Sequence, residues 1–326
     1  MDWTKTRAVV TGAAGFIGSH LVERLVCSGA EVTAFVRYNS RSGVGFLSGI
    51  DDRTLRIVPG DVTDVDAVRK AIEGSDVIFH LAALGSVPYS FIHPNQVIQV
   101  NTMGTANVLT AARDVGVRKI VVTSTSEVYG TARYVPIDEA HPKQPQSPYA
   151  ASKIAGDAVA LSFYHAFGLP VSIVRPFNTF GPRQSDRAII PTIIAQALTR
   201  DEVRIGNGRP TRDFTFVADT VEGFIRAAES DQSVGQEVNL GAGHEISISA
   251  LVERIVALVG RPVSIASDEQ RIRSDQTEVT RLLSNNAKAR ELIGWQPTVG
   301  LDEGLRRTIE WIRANRGDYD PTTYRV

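Results

Sequence analysis

Tyr149 and Lys153 stand four residues apart in the run Ser147-Pro148-Tyr149-Ala150-Ala151-Ser152-Lys153. On a helix that spacing sets the phenol and the ammonium on one face, a turn apart. A nearby cation stabilises a phenolate and lowers its pKa, so such a tyrosine can act as a base near neutral pH. Upstream, Thr123-Ser124-Thr125-Ser126-Glu127 sets a carboxylate behind a row of hydroxyls. Earlier still, Gly12, Gly15 and Gly18 punctuate Thr11-Gly12-Ala13-Ala14-Gly15-Phe16-Ile17-Gly18. A cofactor turn joined to a Tyr/Lys pair points to sugar or alcohol redox chemistry rather than nucleotide binding alone.

The elements that must position these groups alternate. Apolar strand patterns occur at Ala8–Thr11, Glu31–Val36, Leu55–Val58, Val77–His80, Lys119–Thr123 and Val171–Val174. Helical patterns fill the gaps at Gly15–Cys27, Val65–Glu73, Asn95–Val115 and Tyr149–Phe167. Strands apolar on both faces and separated by helices predict an α/β fold with a doubly wound parallel sheet, a Rossmann dinucleotide-binding unit. Residues 1–176 form that unit, with 212–241 returning to it through a strand at Asp213–Val217 and a helix at Ala218–Ser230. Residues 177–211 and 242–326 form a smaller, mostly helical substrate-binding region, ending in an amphipathic helix at Leu301–Ala314. The active site is expected between the two.

Gly12, Gly15 and Gly18 lie between a strand and a helix, where glycine lets the backbone approach a pyrophosphate and the helix N-terminus offers unpaired N–H groups. Phe16 and Ile17 open that helix. Arg37 ends the second strand, about 20 residues on, where an acidic residue would bind a free ribose hydroxyl. Arginine can instead pair with a 2′-phosphate, supported by Ser40 and Arg41, which favours NADP over NAD. Stacking on adenine, or pointing to solvent, is the other reading of Arg37. Asp61 and Val62 follow the third strand within reach of an adenine. Leu81, Ala82 and Ala83 follow the fourth and permit close backbone approach. His80 is read as packing or loop-bonding.

The glycine turn, Ser124-Thr125-Ser126-Glu127-Val128-Tyr129-Gly130 and the Tyr149/Lys153 pair together resemble the extended short-chain dehydrogenase/reductase family. Arg175-Pro176-Phe177-Asn178, Gly181-Pro182-Arg183, Arg212-Asp213-Phe214, Gly294-Trp295-Gln296-Pro297 and Glu303-Gly304-Leu305 extend the resemblance over essentially the whole chain. Within the family the chain is similar to nucleotide-sugar 4,6-dehydratases, especially the branch associated with legionaminic acid precursors and the GDP-mannose dehydratases. The resemblance implies that Tyr149 takes the sugar 4-hydroxyl proton, Lys153 holds the nicotinamide ribose and Glu127 removes the carbon 5 proton. Thr125 and Ser126 would bond the 4-oxygen or the departing hydroxyl. Many dTDP-glucose dehydratases carry aspartate where Ser126 stands, so the resemblance supplies no separate carboxylic acid here.

The same resemblance implies a nucleotide-diphosphate sugar as substrate, a GDP-, UDP- or dTDP-hexose. It sets Asn178, Arg212 and Arg273 near the pyrophosphate, with Ser86 and Val87 near the sugar. Arg183 and Arg187 are further candidates. It also implies a homodimer through the helix carrying Asn101, Met103, Thr105 and Val108 and the helix of Tyr149. Buried faces within one subunit would explain the same periodicity. Related activities remain open: UDP-glucuronate decarboxylation, 4-epimerisation, or a cofactor-sensing or scaffolding role on an inherited fold.

Composition sets the outer bounds. The chain has 326 residues, 43% hydrophobic and 22% charged, with a formal net charge of -1. That balance suits a globular chain and gives no broad electrostatic reason to bind nucleic acid. Cys27 is the single cysteine, which rules out an intrachain disulfide, and it is read as buried packing. The histidines show no close metal-ligand spacing. No apolar run approaches the roughly 20 residues needed to span a bilayer, and the first strand begins too soon for a signal peptide. A cytoplasmic enzyme is the expectation.

Overall fold

The computed structural model describes residues 1–38, 44–50, 53–268 and 278–319. Its first half alternates strand and helix: β1 (Arg7–Thr11), α1 (Phe16–Cys27), β2 (Glu31–Arg37), β3 (Leu55–Gly60), α2 (Val65–Ile72) and β4 (Val77–His80). The chain then runs through α3 (Val87–Ile92), α4 (Pro94–Ile98), a π-helical turn (Gln99–Met103) and α5 (Gly104–Val115). Next come β5 (Lys119–Thr123), the long α6 (Pro148–Phe167) and β6 (Val171–Pro176).

The later elements are shorter: β7 (Asn178–Phe180), α7 (Ile189–Thr199), β8 (Glu202–Ile205), β9 (Thr211–Phe216), α8 (Val217–Glu229) and β10 (Glu237–Leu240). They end with β11 (Glu245–Ser247), α9 (Ile248–Val259), β12 (Ser264–Ser267), α10 (Ala287–Ile293) and α11 (Leu301–Ala314).

Seven strands form one sheet in the order β3-β2-β1-β4-β5-β6-β10, and every pairing in it is parallel. The strands β4, β5 and β6 are buried along most or all of their length, as a sheet covered on both faces requires. One core packs α1, α7, α8, α9 and α11 residues against β1 and β2. A second places Val108, Leu109, Ala112 and Ala160 against Val9, Ile78, Ile120 and Ile173. This is the doubly wound arrangement that the alternating pattern predicts.

Three local readings need correction. Asp213–Val217 does not return to the main sheet: β9 pairs with β7 and β11 in a separate three-stranded sheet, while α8 and β10 make the return. Cys27 is exposed, because it falls on the last residue of α1, beyond the buried face. Asn101, Thr105 and Val108 face inward, each at most 1% exposed, whereas Met103 is turned to solvent. Among the described residues no helix is long and apolar enough to cross a membrane.

Candidate active site

The strands of the main sheet run parallel, so their carboxyl ends share one edge, and the candidate residues gather along it. At β1 the turn is tight for physical reasons. Gly12 has φ +69°, and a Cβ there would meet the backbone nitrogen of Ala82 at 2.8 Å. A Cβ on Gly18 would meet the Gly12 carbonyl oxygen at 2.3 Å. Gly15 is the N-cap of α1 and has no side-chain cap, so the first-turn N–H groups of the helix are left to a ligand or solvent. The fit for a dinucleotide pyrophosphate is good.

The floor of this turn is a buried hydrogen-bond chain. Thr105 donates to the Asn101 carbonyl at 2.6 Å, so it accepts from His80 Nε2 at 3.0 Å. Nδ1 of His80 then accepts from the Thr11 hydroxyl at 2.8 Å, and Thr11 Oγ1 accepts from the N–H groups of Leu81 and Ala82. Burial pushes the His80 imidazole down to about 3, and the Lys153 charge adds to that. His80 is therefore a neutral, doubly bonded group that fastens β4 to β1.

Arg37 is exposed at the end of β2, in register with Gly60 of β3. Asp61 accepts from both the N–H and the hydroxyl of Thr63 at 2.9 and 2.7 Å. Burial resists its ionisation, but these bonds and the Arg37 charge hold its carboxyl below the usual range. Val62 is buried against Gly104, and its carbonyl accepts from Asn107. Leu81 and Ala82 are half-buried and Ala83 is exposed. Ser40 and Arg273 lie outside the described residues.

Beside this edge opens a cleft of about 720 Å³. It brings together Phe16, Ile17, Ser86, Val87, Thr125, Ser126, Glu127, Tyr149, Asn178 and Arg212, which sequence reasoning had drawn from six separate segments. Ser86 is also the N-cap of α3, accepting from Tyr89 N–H at 3.3 Å. Arg187 lines the cleft too. Arg183 does not: it pairs with Glu23 of α1 at 2.9 Å and packs against Phe46 and Trp311. Arg212 meets Glu278 at 3.8 Å. Three buried polar atoms of the lining residues, Thr123 Oγ1, Asn178 Nδ2 and Gln184 Oε1, lack a hydrogen-bond partner, as a site built to receive a polar ligand would leave them. Gln184 was missed, having no chemical signature in isolation.

Glu127 is the second residue of a short 3₁₀ turn (Ser126–Tyr129) after β5, and the Thr125 hydroxyl accepts from its N–H at 3.3 Å. Thr125, not Glu127, thus caps the turn. Tyr149 sits in the first turn of α6, fixed by the Ser147 cap on Ala150 N–H. Its phenol is pushed up to about 12, first by burial and then by the charges of Glu127 and Asp157, with a Thr125 hydrogen bond pulling the other way. This reverses the direction expected from the Tyr/Lys spacing. The reason is burial of the phenol; Lys153 Nζ for its part donates to the Thr123 carbonyl at 2.6 Å, and burial lowers its own pKa while Asp157 raises it.

The GDP-mannose 4,6 dehydratase family matches residues 9–308. The chain belongs to the extended short-chain dehydrogenase/reductase family of nucleotide-sugar dehydratases and epimerases. It is 38% identical to a UDP-glucose 4-epimerase from Mycolicibacterium smegmatis over 94% of this chain and 98% of the relative. It is 32% identical to UDP-glucuronic acid decarboxylase 1 from Xenopus tropicalis, covering 95% of this chain and 72% of that protein. The dTDP-glucose 4,6-dehydratase DesIV from Streptomyces venezuelae, solved with NAD bound, superposes with a TM-score of 0.88 at 30% identity, over 97% of this chain and 100% of that one. These short-chain dehydrogenase/reductase relatives share the fold but divide over the reaction.

Proposed function

We propose that this protein is a nucleotide-sugar 4,6-dehydratase that works with a nicotinamide cofactor. The observation carrying this reading is that the Glu127 carboxylate and the Tyr149 phenol line one cleft, with Thr125 bonded to both residues. A 4-epimerase needs only the phenol. A carboxylate base is what abstraction of a proton next to a ketone requires.

Gly12, Gly15 and Gly18 would hold the cofactor pyrophosphate, Asp61 and Val62 the adenine side, and Lys153 the nicotinamide ribose. When bound, an oxidised nicotinamide supplies positive charge, accepts hydride from sugar carbon 4 and later returns it at carbon 6. Tyr149 takes the proton of the 4-hydroxyl. Burial holds its phenol up at about 12, and the positive charge of an oxidised nicotinamide would draw it back down. The 4-ketone acidifies the carbon 5 proton, which Glu127 removes and passes to the carbon 6 hydroxyl, so that it departs as water; after hydride return at carbon 6, a solvent proton completes carbon 5. Ser126 and Thr125 bond the departing or the ketone oxygen. Asn178 and Arg212 hold the substrate pyrophosphate, with Ser86 and Val87 against the hexose. Arg37, exposed where a ribose phosphate would come, favours NADP over NAD.

Phe91, Ile92, Ile98, Met103 and Phe167 are exposed on α3, α4, the π turn and α6, which pack side by side. They support a homodimer through that helical face, to be checked by light scattering.

The deciding experiment is incubation with UDP-, GDP- and dTDP-hexoses, and with UDP-glucuronate, followed by mass spectrometry. Loss of one water, and exchange of the carbon 5 proton with solvent that disappears in Glu127→Gln, is the expected outcome. An unchanged mass with a new isomer refutes dehydration in favour of the 4-epimerase, the reading favoured by 38% identity to the mycobacterial relative. Loss of carbon dioxide refutes it in favour of a decarboxylase.

A further inference from the structure

Helix α6 carries one more charged residue on the face of Tyr149 and Lys153. Asp157 lies one turn below Lys153 and is 1% exposed. Its Oδ2 accepts the Ser124 hydroxyl at 2.8 Å and the guanidinium of Arg175 at 2.8 and 3.3 Å. Arg175, on β6, is fully buried and pairs in turn with Glu237 on β10. Glu237 meets the half-exposed Lys143 at 2.6 Å. Four charges, Lys143, Glu237, Arg175 and Asp157, therefore alternate in sign from the surface inward. Lys153, a turn along the same helix, is the next charge beyond the row.

Packing alone does not require this arrangement. A buried ion pair recovers its desolvation cost poorly, and apolar replacements of similar volume serve stability as well or better. The row ends with a carboxylate one helical turn from Lys153, on the same helix as Tyr149. The other groups facing Lys153 supply no formal anion: Tyr149 on its own helix, the neutral His80 of β4 and the Thr123 carbonyl of β5. Glu127 faces Tyr149 from the turn after β5. Around Arg175 stand Asp157, Glu237, the Tyr129 hydroxyl at 2.9 Å and Glu139.

We propose that Asp157 is a positioning residue whose buried charge, held by Arg175 and Ser124, keeps Lys153 in its ammonium form. Its link to function rests on the reading of Tyr149 and Lys153 as the reacting pair. Burial pulls the Lys153 pKa down, and the Asp157 charge acts against it. A neutral lysine would leave the Tyr149 phenolate without a counter-charge from the protein itself.

The test reads the lysine directly. The chain has six lysines, so carbon-13 labelling at the lysine ε position gives a sparse spectrum, with Lys153 assigned from Lys153→Arg. In Asp157→Asn the Lys153 titration midpoint should fall by about one pH unit, a tenfold loss of proton affinity. Asp157→Glu should restore most of it. Should Asp157→Asn fail to fold, Asp157→Asn with Arg175→Met removes the stranded guanidinium together with its partner, and the midpoint should still fall. An unchanged or raised midpoint in either folded variant overturns the proposal. Because the readout is a titration of the cofactor-free chain, its failure leaves the dehydratase reading intact, and failure of the sugar assay leaves the titration intact.

Discussion

Acidification tests the buried His80 most sharply. In the folded chain the imidazole is pushed down to about 3, against about 6.5 in an unfolded chain. As pH falls through 6.5 the unfolded chain takes up a proton that the folded chain refuses. The stability contributed by neutral His80 is thus fully present above 6.5 and drains away down to about pH 3. Between pH 7 and pH 5 the loss is about 2 kcal/mol, and at pH 3 it reaches about 4 kcal/mol. Other groups titrate nearby. His20, also depressed by burial, acts in the same direction. Asp213, raised to about 6 by burial although it accepts three backbone N–H bonds, acts in the opposite one. A difference measurement removes them. His80→Asn keeps an acceptor for the Thr11 hydroxyl but cannot titrate, so its urea unfolding should lose about 2 kcal/mol less than wild type between pH 7 and pH 5. Parallel pH dependences for the two proteins would refute the neutral, doubly bonded imidazole.

Lys119 gives a mirror-image case at high pH. It is 2% exposed and bonded to Ser230 and Ser233, and burial pulls it down to about 8. Wild type should gain about 3 kcal/mol relative to Lys119→Met as pH rises from 8 to 10.5, because the folded chain releases its proton first. Gly12→Ala forces a side chain into the left-handed region and onto the Ala82 backbone. It should weaken dinucleotide binding at least about tenfold by calorimetry, since the left-handed strain alone is about 1–2 kcal/mol. Arg37→Ala should lower the ratio of NADP to NAD affinity about tenfold or more, a charge-assisted bond being worth about 1.5–3 kcal/mol; an unchanged ratio would remove Arg37 from the choice.

Much of this was legible in the residues, for reasons that differ by element. The six strands read from the chain are dominated by apolar residues, so burial is largely written locally. β10 escaped because Glu237 and Asn239 look like loop residues. Their polarity is answered by Lys143, Arg175 and Tyr129, partners about 60 to 110 positions away. Asp213–Val217 declared itself a strand but not which sheet it joins, since propensity says nothing of pairing. Tyr149 and Lys153 could be paired because a helix fixes side chains four apart. The partnership of Asp157 with Arg175 crosses from helix to sheet and has no such rule. Helical period likewise told nothing of inside from outside for Asn101, Met103 and Thr105.

The order in which the chain visits its sheets has a practical consequence. After β6 the backbone leaves for the small sheets and comes back more than fifty residues later to lay β10 along the same edge. A fragment cut after Pro176 therefore ends with β6 as an unprotected border, and Arg175 is stripped of Glu237. Exchanging the sugar-recognising part for that of a cousin would need several splice junctions, and whoever attempts it must carry the Glu237 strand with the nucleotide half.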